Sequence, residues 1–246
     1  MRNVVFHYHL FKNAGTSVDS LLRSNFGDGL VSKEFAPLAH GAQLAAVSEW
    51  VASEPSASAF SSHTAPLPPP KQPGLTVFPI VFVRHPLDRI ASAYEFERRQ
   101  GIGGFGSTLA RNTTFSGYVE VRLSVSWDRQ CRNFQTSRLS QMHPASRGSE
   151  RERAMRALDE LPFVGVVEHY GRSIERMGAW LGTTWPEFRV RNERHNTGRD
   201  SSATLEERLD AIRRDLGDAY EAVCAANEDD LALFEKAASR YASDAD

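Results

Sequence analysis

A lysine, a glycine and two hydroxyl residues stand close together near the start of the chain, as Lys12, Gly15, Thr16 and Ser17. The apolar run before them predicts a buried strand over 4–8, and apolar residues at helical spacing after them predict a helix. A helix that starts at the end of a strand points unpaired backbone N–H groups and the positive end of its dipole at one place. These residues therefore predict an anion site, with an ordinary helix cap as the alternative interpretation.

This segment differs from the loop that binds nucleotide triphosphates. That loop has the pattern G-x-x-x-x-G-K-[ST], and none of the four lysines of the chain follows a glycine. Here the lysine comes three residues before the glycine. We expect the ligand to be held differently from ATP in a P-loop enzyme, which disfavours a nucleotide-dependent kinase of related topology.

A second cationic segment follows the strongest buried strand that the sequence predicts, over 76–83. Pro79 within that run indicates that the strand begins late. The segment starts at Arg84 and continues to Arg89, and the helix predicted next ends near Gly101. Both cationic segments thus join a strand to a helix, and open α/β sheets bind ligands at the edge where their strands end.

The remaining pattern predicts further strands that alternate with helices. Short strands are expected over 57–62 and 163–167, and the proline-rich stretch 65–74 is expected to be a stiff, extended surface connection. Glycines at 101–106 predict a flexible loop, and one or two long helices are expected at the carboxyl end. This alternation indicates an α/β fold with a parallel sheet in three layers, and the length suits a single domain over 1–246.

Composition narrows the possible functions. A formal net charge of −2 argues against bulk nucleic-acid binding. No apolar run approaches the ~18 residues of a membrane span and no secretory signal begins the chain, so we expect a cytoplasmic protein without a transmembrane segment. The two cysteines are expected to be reduced. Arginines make up 25 of the 29 basic residues, and their planar guanidinium suits phosphate, sulfate and carboxylate.

Taken together, the two segments resemble the PAPS-dependent carbohydrate sulfotransferases, whose donor is 3′-phosphoadenosine 5′-phosphosulfate (PAPS). They are most similar to the branch that includes the uronyl 2-O-sulfotransferases and their bacterial relatives. The 5′-phosphosulfate loop of the family, H-x-x-K-x-A-G-T-S, is matched by His9 to Ser17. The 3′-phosphate motif, R-[HD]-P-x-x-R-x-x-S-x-Y, is matched at every fixed position by Arg84 to Tyr94. Phe11 stands where many relatives have proline, which would change the angle at which the chain enters the loop.

The resemblance implies a P-loop-NTPase-like parallel sheet flanked by helices, the sulfotransferase fold. It also implies a bacterial enzyme that transfers a sulfuryl group to an acceptor hydroxyl, expected on a carbohydrate, with PAPS as donor and no metal. Lys12 would bind the bridging oxygen of the leaving group, as a catalytic residue. The donor-binding residues would be Lys12, Asn13, Ala14, Gly15, Thr16, Ser17, Arg84, Ser92 and Arg199.

A general base for the acceptor hydroxyl is expected at His63, directly after the strand predicted over 57–62. Related enzymes carry a catalytic histidine in the setting H-x-x-[FL], which this chain matches only approximately, and a loop histidine with a satisfied hydrogen bond is the alternative. His7 and His9 share a strand face and are expected to pack or to support the site. Glu168 is expected to orient a neighbour.

Other arginines remain candidates without an assigned role. Arg138, Arg194 and Arg199 are candidates for contacts with the 3′-phosphate or an anionic acceptor, or are solvated surface residues. The stretch 196–199 is favoured for closing over the nucleotide. A non-catalytic nucleotide-binding protein is a further alternative, because it would need no base at position 63. The acceptor and the oligomeric state stay open.

Overall fold

The computed structural model describes residues 1–101, 103–190 and 203–242. Its strands run over Arg2–Tyr8 (β1), Leu30–Ser32 (β2), Ala59–Ser62 (β3), Leu75–Val83 (β4) and Val164–Val166 (β5). They form one parallel sheet in the order β2-β3-β1-β4-β5. The predicted parallel α/β fold is confirmed at this level, and β1 lies at the centre of the sheet. That the chain forms a single domain stays a prediction.

Helices connect and cover the strands. In the described parts of the chain they run over Gly15–Phe26 (α1), His40–Ser53 (α2), Pro86–Arg99 (α3), Phe105–Asn112 (α4), Phe115–Ser124 (α5), Phe134–Ser140 (α6), Glu150–Glu160 (α7), Tyr170–Gly182 (α8), Leu205–Leu216 (α9), Ala219–Ala226 (α10) and Glu228–Ala242 (α11). Short 3-10 turns run over Gly27–Gly29, Ala145–Arg147 and Val167–His169. None of these helices has both the length and the apolar character needed to cross a bilayer.

Both faces of the sheet are buried against helices. Alternate residues of β1 point to opposite sides, so Phe6 packs with Trp50 of α2 and Leu158 of α7. Val5 packs on the other side with Leu22 of α1 and with apolar residues of α8. A third cluster joins α3, α4, α5, α9 and α10 beyond the sheet. The helices on both faces make the three layers, as expected for a parallel sheet.

The strand β4 begins at Leu75, so the late start expected from Pro79 is wrong. Pro79 lies opposite Phe6 of β1, whereas β5 pairs only with the stretch Val81–Val83. At Pro79 the side of β4 away from β1 therefore has no paired strand among the described residues. A strand edge tolerates a residue that has no backbone N–H to donate, which explains how the proline is accommodated.

Three other expectations also differ from the structure. The connection 65–74 is not wholly on the surface, because Ala65 and Leu67 are buried in the core. The glycine-rich loop is shorter than predicted, since α4 begins at Phe105. The carboxyl end of the described chain carries α9, α10 and α11 rather than one or two helices, and α9 ends at Gly217, whose φ of 53° favours glycine.

Candidate active site

The loop between β1 and α1, which we call the cradle loop (12–17), has an unusual backbone. Lys12 and Ala14 have φ values of 64° and 61°, in the left-handed region that few residues other than glycine adopt. Asn13, between them, is buried and donates its side-chain amide to Phe82 O at 2.7 Å and to Gln135 Oε1 at 2.9 Å. Asn13 therefore fixes the loop to the end of β4, and its expected contact with the donor stays a prediction.

The helix α1 begins within the cradle loop and has free donors at its start. The backbone N–H groups of Gly15 and Thr16 have no acceptor among the described residues, and Ala14 supplies no side-chain cap. Two N–H groups and the positive end of a helix of 12 residues therefore lie just beyond the carboxyl end of β1. This is the local arrangement that binds phosphate and sulfate groups in proteins.

Lys12 lies at the same place with its ammonium partly withdrawn from water. Its Nζ is 4.4 Å from the centroid of the Phe96 ring on α3, and Phe11 packs edge-on against that ring with 5.5 Å between centroids. Burial, followed by the positive charges of Arg84 and Arg99, lowers the pKa of Lys12. A bound anion would oppose these effects and stabilise the ammonium form.

Arg84 joins the two motifs at the end of β4. Its guanidinium donates to Asp88 Oδ2 at 3.0 and 2.9 Å and to the Lys12 carbonyl at 3.0 Å. Arg208 of α9 donates to the same Asp88 oxygen at 3.2 Å. Burial acts to raise the pKa of Asp88, but the two guanidinium groups outweigh it and the pKa is lowered. Ser92 lies one helical turn further along α3, half-buried.

Three histidine rings lie side by side from the interior of the sheet to its edge. We call them the histidine row (His7, His9 and His63). Ring centroids are 5.2 Å apart for His7 and His9 and 3.8 Å apart for His9 and His63. Asp19 of α1 places one carboxylate oxygen 2.6 Å from His7 Nδ1 and the other 2.9 Å from His9 Nδ1. Burial acts to raise the pKa of Asp19, yet the two imidazoles hold it well below its usual range.

His63 follows the last residue of β3 and has a carboxylate partner. Its side chain is 48% exposed, and its Nδ1 lies 2.7 Å from Glu34 Oε1. Glu34 also accepts the backbone N–H of His63 at 3.0 Å and the hydroxyl of Thr64 at 2.8 Å. A carboxylate at Nδ1 leaves Nε2 as the nitrogen that accepts a proton, which is how a general base is oriented.

Arg138 of α6 supports the backbone behind His63. It donates to the carbonyl oxygens of His63 at 3.1 Å and Ala65 at 2.9 Å. Burial lowers the pKa of this arginine, although the charge of Glu34 acts in the opposite direction. It is thus not a solvated surface residue, and its contact with the 3′-phosphate or an acceptor stays a prediction.

Glu168 orients the turn after β4, as predicted. It accepts the backbone N–H of His85 at 2.9 Å. Burial raises the pKa of Glu168 to about 7 and lowers the pKa of His85 to about 4. The imidazole of His85, which packs edge-on against Phe234 with 5.2 Å between centroids, is therefore neutral at physiological pH.

Among the described residues, His7, His9 and Asp19 form the one group with three potential metal-ligand atoms within 4.8 Å of one another. Both Nδ1 atoms lie at hydrogen-bond distances from Asp19, so hydrogen bonds account for this arrangement. Of the candidates from sequence, Arg194, Arg199 and the stretch 196–199 lie outside the described residues.

Four residues that build the site were missed at the level of sequence. Asp19 has a local signal, because a carboxylate one turn after Gly15 on α1 faces back to the strand that carries two histidines. Glu34, Gln135 and Arg208 have none, since they reach the site from elements 29, 51 and 120 positions from their partners.

The chain folds as an α/β protein in which the cradle loop and a carboxylate-held histidine lie at one sheet edge. No family model matches the chain. A protein of Archaeoglobus fulgidus, described as an uncharacterized protein, is 40% identical over 247 residues, which covers 98% of this chain and 98% of the archaeal protein. The chain belongs to the same family as this archaeal protein.

Proposed function

We propose that this protein is a PAPS-dependent sulfotransferase that transfers a sulfuryl group to a hydroxyl, with a carbohydrate as the acceptor. One observation carries the proposal: an anion cradle and an oriented histidine base meet at the same sheet edge. His63 stacks on His9, and the far edge of the His9 ring lies against Gly15 of the cradle loop. The imidazole of His9 thus lies between the cradle loop and His63.

The cradle suits the 5′-phosphosulfate group. The free N–H groups of Gly15 and Thr16 and the hydroxyl of Thr16 would bind its oxygens. Lys12 would place its ammonium at the bridging oxygen, where negative charge develops as the S–O bond breaks. Sulfuryl transfer, like phosphoryl transfer, depends mainly on positioning and on charge stabilisation.

The second motif suits the 3′-phosphate, the group that distinguishes PAPS from ATP. Arg84, after β4, and Ser92, on α3, would bind this phosphate, and Arg208 adds a second guanidinium beside Asp88. Asp88 holds both guanidinium groups in place, so little reorganisation is needed on binding. A kinase is disfavoured, since the cradle loop lacks the Gly-Lys-[ST] element of an ATP site.

In the proposed reaction, His63 Nε2 takes the proton of the acceptor hydroxyl while the hydroxyl oxygen attacks sulfur in line with the leaving group. The bond between sulfur and the bridging oxygen breaks, and the bridging oxygen leaves with the bonding electrons beside Lys12. The proposal includes the sulfotransferase variant of the P-loop-NTPase-like fold, with the central strand β1 leading into the cradle loop, a location in the cytoplasm, and a reaction without a metal ion.

Ligand binding separates the proposal from its alternatives. A ligand at 100 times its Kd adds about 2.7 kcal/mol of stability, so 3′,5′-adenosine bisphosphate should raise the melting temperature clearly. ATP at the same concentration should raise it less. A larger shift with ATP would favour a kinase. Equal, weak shifts with both ligands would overturn the donor assignment.

Turnover then separates an enzyme from a non-catalytic binding protein. Labelled PAPS should transfer its sulfuryl group to a member of a panel of oligosaccharides, polysaccharides, glycolipids and small alcohols. Lys12→Ala should abolish transfer, whereas Lys71→Ala, which removes an exposed lysine of the proline-rich connection, should not. Tight bisphosphate binding without transfer to any acceptor would favour the non-catalytic alternative.

A further inference from the structure

The imidazole of His9 is in contact with both halves of the proposed site. One ring face stacks on His63, with 3.8 Å between centroids, and Nδ1 lies 2.9 Å from Asp19 Oδ2. The opposite edge, Cδ2 to Nε2, lies so close to Gly15 that a Cβ built there would be 1.9 Å from Cδ2 and 2.0 Å from Nε2.

The hydrogen bond to Asp19 determines the protonation of the ring nitrogen that faces the cradle loop. A carboxylate accepts, so Nδ1 carries a proton and Nε2 does not in the neutral ring. Nε2 has no hydrogen-bond partner among the described residues, and its edge of the ring faces Gly15 at the helix start. An anion bound there would meet a lone pair, which is repulsive, unless Nε2 first gains a proton and becomes a donor.

The charged groups around His9 allow Nε2 to be protonated. The titratable groups that face it are His7 on β1, Asp19 on α1, Glu34 after β2 and His63 after β3. Burial lowers the pKa of His9, and the positive form of His7 lowers it further, whereas Asp19 and Glu34 raise it. The ring is therefore neutral near pH 7 without a ligand, beside two carboxylates that would stabilise an imidazolium. A bound anion adds a third negative group.

We propose that His9 is a donor-binding residue that takes up one proton at Nε2 when an anion occupies the cradle loop. The proton comes from solvent, and no covalent bond of the ligand changes. The imidazolium donates Nε2–H to the bound 5′-phosphosulfate, and Asp19 balances its charge through Nδ1–H. This inference rests on the proposed function, since it takes PAPS as the donor.

Proton uptake also makes binding of the donor depend on pH. Affinity for the donor should fall as pH rises through the interval between the free and bound pKa values of His9, by up to about tenfold per pH unit.

The test is calorimetry with the full chain and 3′,5′-adenosine bisphosphate, in two buffers of equal pH and different ionisation enthalpy. The difference in heat counts the protons taken up, and we expect about one per ligand for the parent. His9→Asn keeps an N–H for Asp19 but has no group that titrates, so it should bind more weakly and take up none. His40→Asn, at an exposed histidine on α2, should behave as the parent.

NMR of the parent labelled with ¹⁵N-histidine gives the same test without a change at His9, should that variant fail to fold. One imidazole should become doubly protonated when the bisphosphate is added, and this change should weaken in Asp19→Asn. Binding without proton uptake would overturn the inference and leave the sulfotransferase proposal intact, as would uptake that persists in His9→Asn. Binding that needs an added divalent cation would assign His7, His9 and Asp19 to a metal instead. No binding of the bisphosphate would overturn both proposals.

Discussion

The contact between Gly15 and His9 makes Gly15→Ala a sharp test of the site geometry. The new Cβ would lie 1.9 Å from His9 Cδ2, whereas ordinary contact begins at 3.4 Å, so the ring must retreat by about 1.5 Å. Its Nδ1 is 2.9 Å from Asp19, and a shift of that size takes it beyond hydrogen-bond distance. His9 is also confined by its stack on His63. The ring therefore has no low-cost way to move.

Two costs follow from this retreat. Forced packing in a dense region costs about 1–3 kcal/mol, and a lost hydrogen bond to a charged group costs about 1.5–3 kcal/mol. Because the surroundings relax in part, we expect Gly15→Ala to lower the free energy of unfolding by about 2–5 kcal/mol. Urea unfolding, followed by circular dichroism, measures this, and binding of 3′,5′-adenosine bisphosphate should weaken in parallel.

The matched control is Gly41→Ala on α2. A Cβ at Gly41 would meet no atom within 4 Å, and alanine is the better helix former by about 0.5–1 kcal/mol. This variant should not lose stability. The double variant Gly15→Ala with His9→Ala removes the ring that the methyl would strike, so its loss should be smaller than the sum of the single losses. A Gly15→Ala protein with the parent's urea midpoint would refute the geometry.

Four further outcomes are expected. Lys12→Ala should lower kcat by orders of magnitude with less effect on donor binding, because its charge acts on the developing leaving group; an unchanged kcat would remove Lys12 from the chemistry. Arg84→Ala should cost about 1.5–3 kcal/mol in binding the bisphosphate and little for an analogue without the 3′-phosphate; equal losses would make Arg84 purely structural. His63→Ala should bind donor normally and lose roughly 10²–10⁴ in turnover together with the acid limb of kcat/KM, whereas turnover within a few-fold of the parent would place the base elsewhere. Asp19 has a lowered pKa in the folded protein, so its contribution is present above the ordinary carboxyl pKa and is lost as pH falls. The stability gap between the parent and Asp19→Asn should therefore be full at neutral pH and shrink in acid, and a gap that grows in acid would contradict this sign.

The spacing of apolar residues was sufficient to predict the strands and helices whose apolar residues recur at regular intervals. The strand β1 and the helix α1 follow from apolar spacing, and α1 stops before Gly27, whose φ of 54° is positive. The carboxyl ends of β1, β3 and β4 bring the two motifs and His63 to one edge, because all three strands are parallel neighbours. The common sheet edge of Lys12, Arg84 and His63 could therefore be predicted.

The helix α6 shows why other parts could not be predicted. Its start is held by Asp230, whose carboxylate accepts the backbone N–H groups of Gln135 at 3.0 Å and Thr136 at 2.7 Å. Asn227 accepts the N–H of Asn133 at 3.1 Å in the same way. These capping groups come from more than 90 positions along the chain, so no window of sequence around α6 contains the cause of its helix.

Three of the candidate side chains have carboxylate partners, from 4 to 29 positions away along the chain, and the chemistry of these pairs is uniform. Asp19, Glu34 and Asp88 each hold a nitrogen side chain that faces the site: His9, His63 and Arg84 respectively. A cluster of cationic groups with no anion present would repel itself, and the carboxylates remove that repulsion while fixing each ring or guanidinium.

Balanced charges also set how the site can respond to a ligand. An anion in the cradle loop would have Lys12 and the helix start as its positive partners, whereas Arg84, paired with Asp88, is assigned to the 3′-phosphate. Among the histidines at this edge, His9 is the one whose ring lies directly against the cradle loop, so the proposed proton uptake at His9 would balance part of the negative charge. The carboxylates already offset cationic side chains at this edge, and the proposed protonation of His9 would add the positive charge that an anionic donor requires.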